Sequence, residues 1–306
     1  MSVMRSGFAS IVGRPNVGKS TLTNAMVGEK VAITSSRPQT TRHVIRGIIN
    51  QPGGQLVLVD TPGVHRPRTL LGERLNALVA ETWSQVDVIV MCFPADEPIG
   101  PGDRFIATQI AAMAKTRKVA VVTKTDKVSD RQLLGEQLLA VSKLGEELGF
   151  EWEEIVPVSA TRGDQVTLLT DLLVSMLPDG PAMYPEGDFT DEPEMVMIAE
   201  LIREAALEGV EDELPHSIAV VVDEMGLREG RAVDKPLIDI YAIVYVERES
   251  QKHIIIGKGG SRLKQVGTDA RIGIASLLGV PVYLDLRVKI AKDWQRDPKQ
   301  LDRLGF

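Results

Sequence analysis

The sequence predicts two folded parts in series. The first is an α/β domain whose sheet is mostly parallel with one antiparallel hairpin, and the second is a smaller α+β domain. Three observations carry this. Over residues 1–177, short apolar runs alternate with amphipathic stretches, the pattern of strands and helices taking turns around a covered sheet. Over Pro178–Pro193 the chain holds four prolines among a cluster of acids, which reads as a linker with little regular structure. After it, the order becomes α-β-β-α-α-β. A chain of 306 residues suits two domains at roughly 100–200 residues each.

The strands expected in the first part are Phe8–Val12, His43–Asn50, Gln55–Asp60, Val86–Pro94, Lys118–Val122 and Glu154–Val158. Each is rich in valine or isoleucine or is bounded by turn residues. Helical patterns lie between most of them, at Ser20–Val27, Leu70–Thr82, Gly102–Ala114, Arg131–Leu148 and Thr167–Leu177. Only Gln51-Pro-Gly-Gly54 separates the second strand from the third. That is a turn, so this pair forms the antiparallel hairpin.

In the second part, Glu194–Leu207 reads as a helix and His216–Val222 as a strand. Leu237–Val246 alternates, with Ile238, Ile240, Ala242, Val244 and Val246 on one face and Asp239, Tyr241, Ile243 and Tyr245 on the other. A half-buried strand has this period of two. A short helix ending at Gly257, a helix over Ser261–Leu278 and a strand over Val282–Ile290 complete the order.

The bulk numbers exclude some classes. The net charge of −7 argues against a dedicated nucleic-acid binder, unless a local basic patch lies inside the acidic total. A single cysteine, Cys92 in an apolar run, makes neither an intrachain disulfide nor a zinc site and fits a reducing cytoplasm. No signal peptide is apparent, and no apolar run reaches the ~20 residues that span a bilayer. The expectation is a soluble, cytoplasmic protein.

Gly13-Arg14-Pro15-Asn16-Val17-Gly18-Lys19-Ser20 matches GxxxxGK[ST] between a strand and a helix, with Thr21 following. Such a loop turns backbone N–H groups around a β-phosphate, places the lysine on the β- and γ-phosphate oxygens and offers the serine hydroxyl to Mg²⁺. Asp60-Thr61-Pro62-Gly63 ends the third strand. There Asp60 would hold Mg²⁺ and the Gly63 N–H would meet a γ-phosphate. Thr123-Lys124-Thr125-Asp126 ends the fifth strand. Asp126 can accept from guanine N1–H and the 2-amino group, a donor pair that adenine lacks, while the stem of Lys124 covers the base. Ser159-Ala160, after the sixth strand, can offer backbone N–H to guanine O6. All four lie at strand C-terminal ends, where open α/β sheets bind ligands. The reading is a GTP- and GDP-binding, GTP-hydrolysing domain.

Taken together, these motifs resemble the Era family within the translation-factor class of GTPases, and the fold implied is a P-loop GTPase domain followed by an α+β type II KH domain. The expected division is 1–177 for the GTPase domain, 178–193 for a linker and 194–306 for the KH domain. Two positions depart from the common GTPase pattern. Thr123 stands where asparagine is usual; it can make a local hydrogen bond but is not expected to reproduce the amide's bridging contacts. Val64 stands where small GTPases often carry a water-orienting glutamine. The resemblance implies that the water is oriented otherwise, with Asn16 helping to bind K⁺. Within Gln39-Thr-Thr-Arg-His43 it implies a switch I segment whose threonine closes over Mg²⁺, and it favours Thr41 over Thr40. Lys19, Thr41, Gly63 and Asn16 are thus the expected catalytic set, and Ser20, Thr41 and Asp60 the metal set.

Gly257-Lys258-Gly259-Gly260 is a GxxG loop between two helical segments. In KH domains such a loop clamps single-stranded RNA backbone. From 250 to 270, Lys252, Lys258, Arg262 and Lys264 face one acid, Asp269, which supplies the local basic patch. Glu213-Leu-Pro-His-Ser217, Val246-Glu-Arg-Glu249 and the run from Trp294 to Phe306 extend the resemblance along the chain. It implies a ribosome-assembly factor whose KH domain binds the 3′ end of 16S ribosomal RNA in the 30S subunit. It also implies a monomer with peripheral membrane association on the cytoplasmic face. The alternatives are a tRNA-modification enzyme, which would carry reactive C-terminal cysteines, and a regulator whose second domain binds protein.

Overall fold

A computed structural model of the chain describes residues 4–34, 41–63, 67, 69–208, 210, 217–232 and 234–306. It divides into two compact units, 1–67 with 72–191, and 192–306 with 68–71.

The first unit runs β1 (Arg5–Val12), α1 (Lys19–Val27), β2 (Ile45–Gln51), β3 (Gly54–Asp60), α2 (Leu70–Gln85), β4 (Val88–Pro94), α3 (Pro101–Ala111), β5 (Arg117–Thr123), α4 (Arg131–Glu147), β6 (Glu154–Pro157) and α5 (Val166–Met176). The six strands form one sheet in the order β2-β3-β1-β4-β5-β6. The β2–β3 pair is antiparallel and the other pairings are parallel. Every residue of β3 and β4 is buried, because parallel strands covered on both faces have no solvent side. On one face Ile11, Leu58, Val90 and Val121 pack with Leu22 of α1 and Leu169 and Leu173 of α5. On the other, Ile89, Met91, Phe93 and Val122 pack with Trp83 of α2, Ile110 of α3 and Val141 of α4. The sheet changes winding direction beside β1, so the loops after β1, β3 and β5 meet at one edge.

Residues 178–191 have little regular structure but are not free. The buried Gln55 side chain accepts from Met183 N at 2.7 Å and Tyr184 N at 2.9 Å, and donates to Tyr184 O at 2.9 Å. Ser6 Oγ donates to Pro181 O at 2.6 Å. Proline and acid content signalled absence of helix and strand; it carried no information about docking.

The second unit runs α6 (Glu194–Leu207), β7 (Ala219–Leu227), β8 (Ile238–Val246), α7 (Glu249–Ile256), α8 (Ser261–Leu278), β9 (Val282–Ile290) and α9 (Pro298–Leu304). Its sheet has the order β7-β8-β9, with β7–β8 antiparallel and β8–β9 parallel. Ile240, Ala242, Val244 and Val246 face a core built with Ile198 and Ile202 of α6 and Val266 and Ile274 of α8. The first strand begins later than expected and continues to Leu227 across a bulge between Val222 and Glu224. His216 and its neighbours 211–215 lie outside the described residues.

The sequence reading missed the C-terminal element. Trp294 is fully buried, donates to Ser217 O at 3.0 Å and stacks on Phe306 with ring centroids 5.4 Å apart. In α9, Leu301 and Leu304 are buried, and Arg303 donates to the Tyr245 hydroxyl at 3.3 Å. Ile243 and Tyr245, on the second face of β8, are buried too, and Tyr245 lies against this element through Arg303. Among the described residues, no helix is long and apolar enough to cross a membrane.

Candidate functional site

The loop after β1 is shaped by close approach. Gly13 has φ 149°, and a Cβ there would lie 2.9 Å from the Cys92 carbonyl oxygen and 2.9 Å from Val17 Cγ2. Gly18 precedes α1 at φ 98° with no side-chain cap, leaving first-turn N–H groups for an anion. Lys19 is buried, with Nζ 3.1 Å from Arg14 O. Asn16 is exposed at φ 65°, a left-handed turn position that asparagine tolerates. Val17 lies in the core, Thr21 is half-buried, and Pro15 lies against Gly63. The Arg14 guanidinium donates to Asp103 at 3.0 Å and to Glu97 at 2.7 Å.

The three predicted metal ligands converge. Ser20 Oγ donates to Asp60 Oδ2 at 2.7 Å, and Thr41 Oγ1 is 3.1 Å from Ser20 Oγ and 3.4 Å from the same carboxylate oxygen. Asp60 is fully buried, and among the described residues its Oδ1 has no partner within hydrogen-bond criteria. Burial raises the Asp60 carboxyl pKa, opposed by Lys19 and the two hydroxyls. Burial lowers the Lys19 pKa, opposed by Asp60. A buried carboxylate with an orphan oxygen beside two hydroxyls fits a hard divalent cation. Thr61 and Pro62 are buried and Gly63 is half-buried beyond them. Val64, Gln39 and Thr40 lie outside the described residues.

At the far side, Asp126 Oδ1 accepts from Ser159 Oγ at 2.6 Å. That bond is the largest cause holding the Asp126 pKa below the usual carboxylate value. Lys124 sits at φ 58° before a 3₁₀ turn over Thr125–Lys127, and Ala160 is half-buried after Ser159. Thr123 makes the hydrogen bond expected of it: Oγ1 donates to the Val17 carbonyl at 2.6 Å. The hydroxyl thus ties the end of β5 to the loop after β1.

In the second unit, Gly257–Gly260 joins α7 to α8. A Cβ at Gly257 would come within 2.7 Å of Arg262 Cβ, so that position admits no side chain. Lys258, Gly259 and Lys264 are exposed, and Lys252 and Gly260 are half-buried. A groove of about 410 Å³ runs from Gly260 along Lys264, Gly267, Thr268 and Arg271 of α8, with Leu284 and Leu286 of β9 opposite. Sequence reasoning missed Arg271 and the two leucines. The helical spacing 260, 264, 267, 268, 271 was the available signal. The Arg262 Nη2 donates to Ala206 O at 3.2 Å and to Glu208 O at 2.6 Å, at the C-terminal end of α6.

Comparison with known proteins agrees in both units. A family model described as 50S ribosome-binding GTPase matches residues 8–124, and one described as KH domain matches 213–295. GTPase Era of Streptomyces coelicolor is 68% identical over 305 residues, covering 100% of this chain and 96% of its own. GTPase Era of Mycolicibacterium smegmatis is 66% identical over 307 residues, with 100% of both covered. A crystal structure of Era with MgGDPNP and nucleotides 1506–1542 of 16S ribosomal RNA superposes with TM-score 0.92 at 35% identity, over 99% of each chain. Aquifex aeolicus Era, as a point variant bound to GDP and AlF₄⁻, gives the same TM-score, identity and coverage. With the phosphate loop, the buried Asp60 centre and the GxxG groove all in one chain matched along its length, the chain belongs to the GTPase Era family.

Proposed function

We propose that this chain is a Mg²⁺-dependent GTPase switch that binds single-stranded RNA near the 3′ end of 16S ribosomal RNA and acts in 30S subunit assembly. The observation that carries the first half is the convergence of Ser20, Thr41 and Asp60 beside Lys19, with an Asp60 oxygen unpartnered among the described residues. The RNA half is supported by the exposed GxxG loop, the cations along its groove and the RNA in the related complex.

Mg²⁺, when bound, neutralises charge across the β- and γ-phosphates; Ser20, Thr41 and Asp60 are the residues to hold it. Lys19 brings its ammonium to the same phosphate oxygens, and a buried ammonium acts there with little solvent screening. The Gly63 N–H meets the γ-phosphate. Asp126 reads the base, steadied by Ser159. Position 64 offers no side chain able to hydrogen-bond the attacking water, so we assign Asn16, exposed at the loop tip, to a K⁺ ion that adds charge near the transition state. Monomeric action in the cytoplasm, with peripheral contact on the membrane's cytoplasmic face, rests on family resemblance.

Crosslinking in cells followed by mapping of the bound RNA tests the proposal. Enrichment at the 3′ end of 16S ribosomal RNA is expected. Enrichment on tRNA, or no RNA above background, would overturn it.

A further inference from the structure

We infer that residues 178–191 form a strap that holds both roots of the switch I segment, and that Phe189 is a positioning residue for Thr41. The root before the segment is Val31 and Ala32. Asn24 of α1 holds it with three bonds: Nδ2 donates to Ala32 O at 2.7 Å, and Oδ1 accepts from Val31 N at 3.0 Å and Ala32 N at 2.8 Å. The root after the segment is Ile45, which begins β2 directly opposite Asp60 in the β2–β3 register. Val31, Ala32 and Ile45 form one small buried cluster, and Phe189 packs against it. The ring therefore packs, with Val27 of α1, against the cluster in which the two roots meet.

The strap is fastened on either side of that ring. Phe189 O accepts from Ile48 N at 2.9 Å, Thr190 Oγ1 donates to Arg46 O at 2.7 Å, and Asp191 pairs with Arg46 at 3.2 Å. Tyr184 donates its hydroxyl to Asp191 at 2.8 Å, and the buried Gln55 amide grips the backbone at Met183 and Tyr184. These bonds also cover the outer side of β2, an edge strand whose backbone groups would otherwise face water. Thr41 lies four residues before Ile45, so its hydroxyl reaches Ser20 and Asp60 from a segment whose anchor is this cluster. Loosening the cluster should misplace Thr41 while sparing the phosphate loop and Asp126, which are built on other strands.

The inference rests on reading Ser20, Thr41 and Asp60 as a Mg²⁺–GTP centre. It predicts a split between nucleotides. A diphosphate is held by the phosphate loop and the base site; a triphosphate also needs the threonine. In the full chain, Phe189→Ala is expected to weaken affinity for a fluorescent non-hydrolysable GTP analogue with Mg²⁺ by about tenfold, with GDP affinity within about twofold of the unmutated chain. Phe189→Leu, which keeps an apolar side chain against the cluster, should restore most of the loss. Equal loss for both nucleotides would make Phe189 a general packing residue and overturn the inference, and so would no loss for either. If the alanine variant does not fold, Thr190→Val removes the bond to Arg46 O and carries the same comparison. Failure of the unmutated chain to bind GDP or the analogue would instead sink the Mg²⁺–GTP reading, before any variant is compared.

Discussion

On the proposed reading, nucleotide choice turns on Asp126. One carboxylate oxygen takes a bond from Ser159, and the bond fixes the plane of the group. Asp126→Asn replaces an acceptor by a donor, so preference should move from GTP toward xanthosine triphosphate. Competition among GTP, ATP and XTP measures this; equal competition by ATP against the unmutated chain would contradict the guanine assignment. The pKa is held below its ordinary value, so the accepting form is full at neutral pH and is lost only as pH falls through that lowered value. Guanine binding should be flat from about pH 8 to pH 5, above the ordinary carboxylate range. Asn16 makes a separate prediction. Hydrolysis should run faster in K⁺ than in Na⁺ at equal ionic strength, and Asn16→Ala should remove the difference. Identical rates in the two salts would mean that protein groups alone orient the water. At this scale the sequence was informative where a motif needs a residue type at a spacing: Lys19, Ser20 and Asp60 were legible as such. It was mute on where a long side chain turns. The Arg14 and Arg262 side chains reach partners far along the chain, Asp103 with Glu97 in one case and the end of α6 in the other.

Among elements, period and punctuation carried most of the architecture. The short turn over 51–54 dictated the antiparallel β2–β3 pair, and the near-strict alternation over Leu237–Val246 marked a strand, which is the central one of the second sheet. Elements whose stability comes from distant packing left a weaker trace. The last helix, Pro298–Leu304, has only seven residues; a helix so short is unstable alone. It is held by Leu301 and Leu304, by the Asp297 side chain accepting from Lys299 N and Gln300 N, and by Trp294 and Phe306 around it. The strap over 178–191 is a stronger case, because its order comes from a buried glutamine and a sheet edge, neither of which is written in its own residues. Burying the Gln55 amide without these partners would cost about 1–3 kcal/mol for each group left unmet, which makes the docking of the strap part of the first unit's stability.

For the whole molecule, the net charge of −7 and an RNA-binding role coexist because the cations are segregated. Lys264 and Arg271 line the groove beside the GxxG loop, Lys258 lies on that loop and Lys252 before it in the sequence. The nucleotide centre and this groove belong to different compact units with separate cores. The account's central claim is that one chain carries GTP hydrolysis and single-stranded RNA binding in separable units. Gly259→Asp tests it most directly. A Cβ at Gly259 meets nothing within 4 Å, and its φ of +60° is one that aspartate tolerates better than most residues, so the second unit should still fold. The new carboxylate sets bulk and negative charge against a polyanion, and its charge part should fade with salt. Affinity for a single-stranded oligonucleotide and GTP turnover without RNA are measured on the same preparation. The expected result is a fall in RNA affinity of about tenfold, roughly 1.4 kcal/mol, with turnover unchanged. Undiminished RNA affinity, or a collapse of turnover alongside it, would contradict the account.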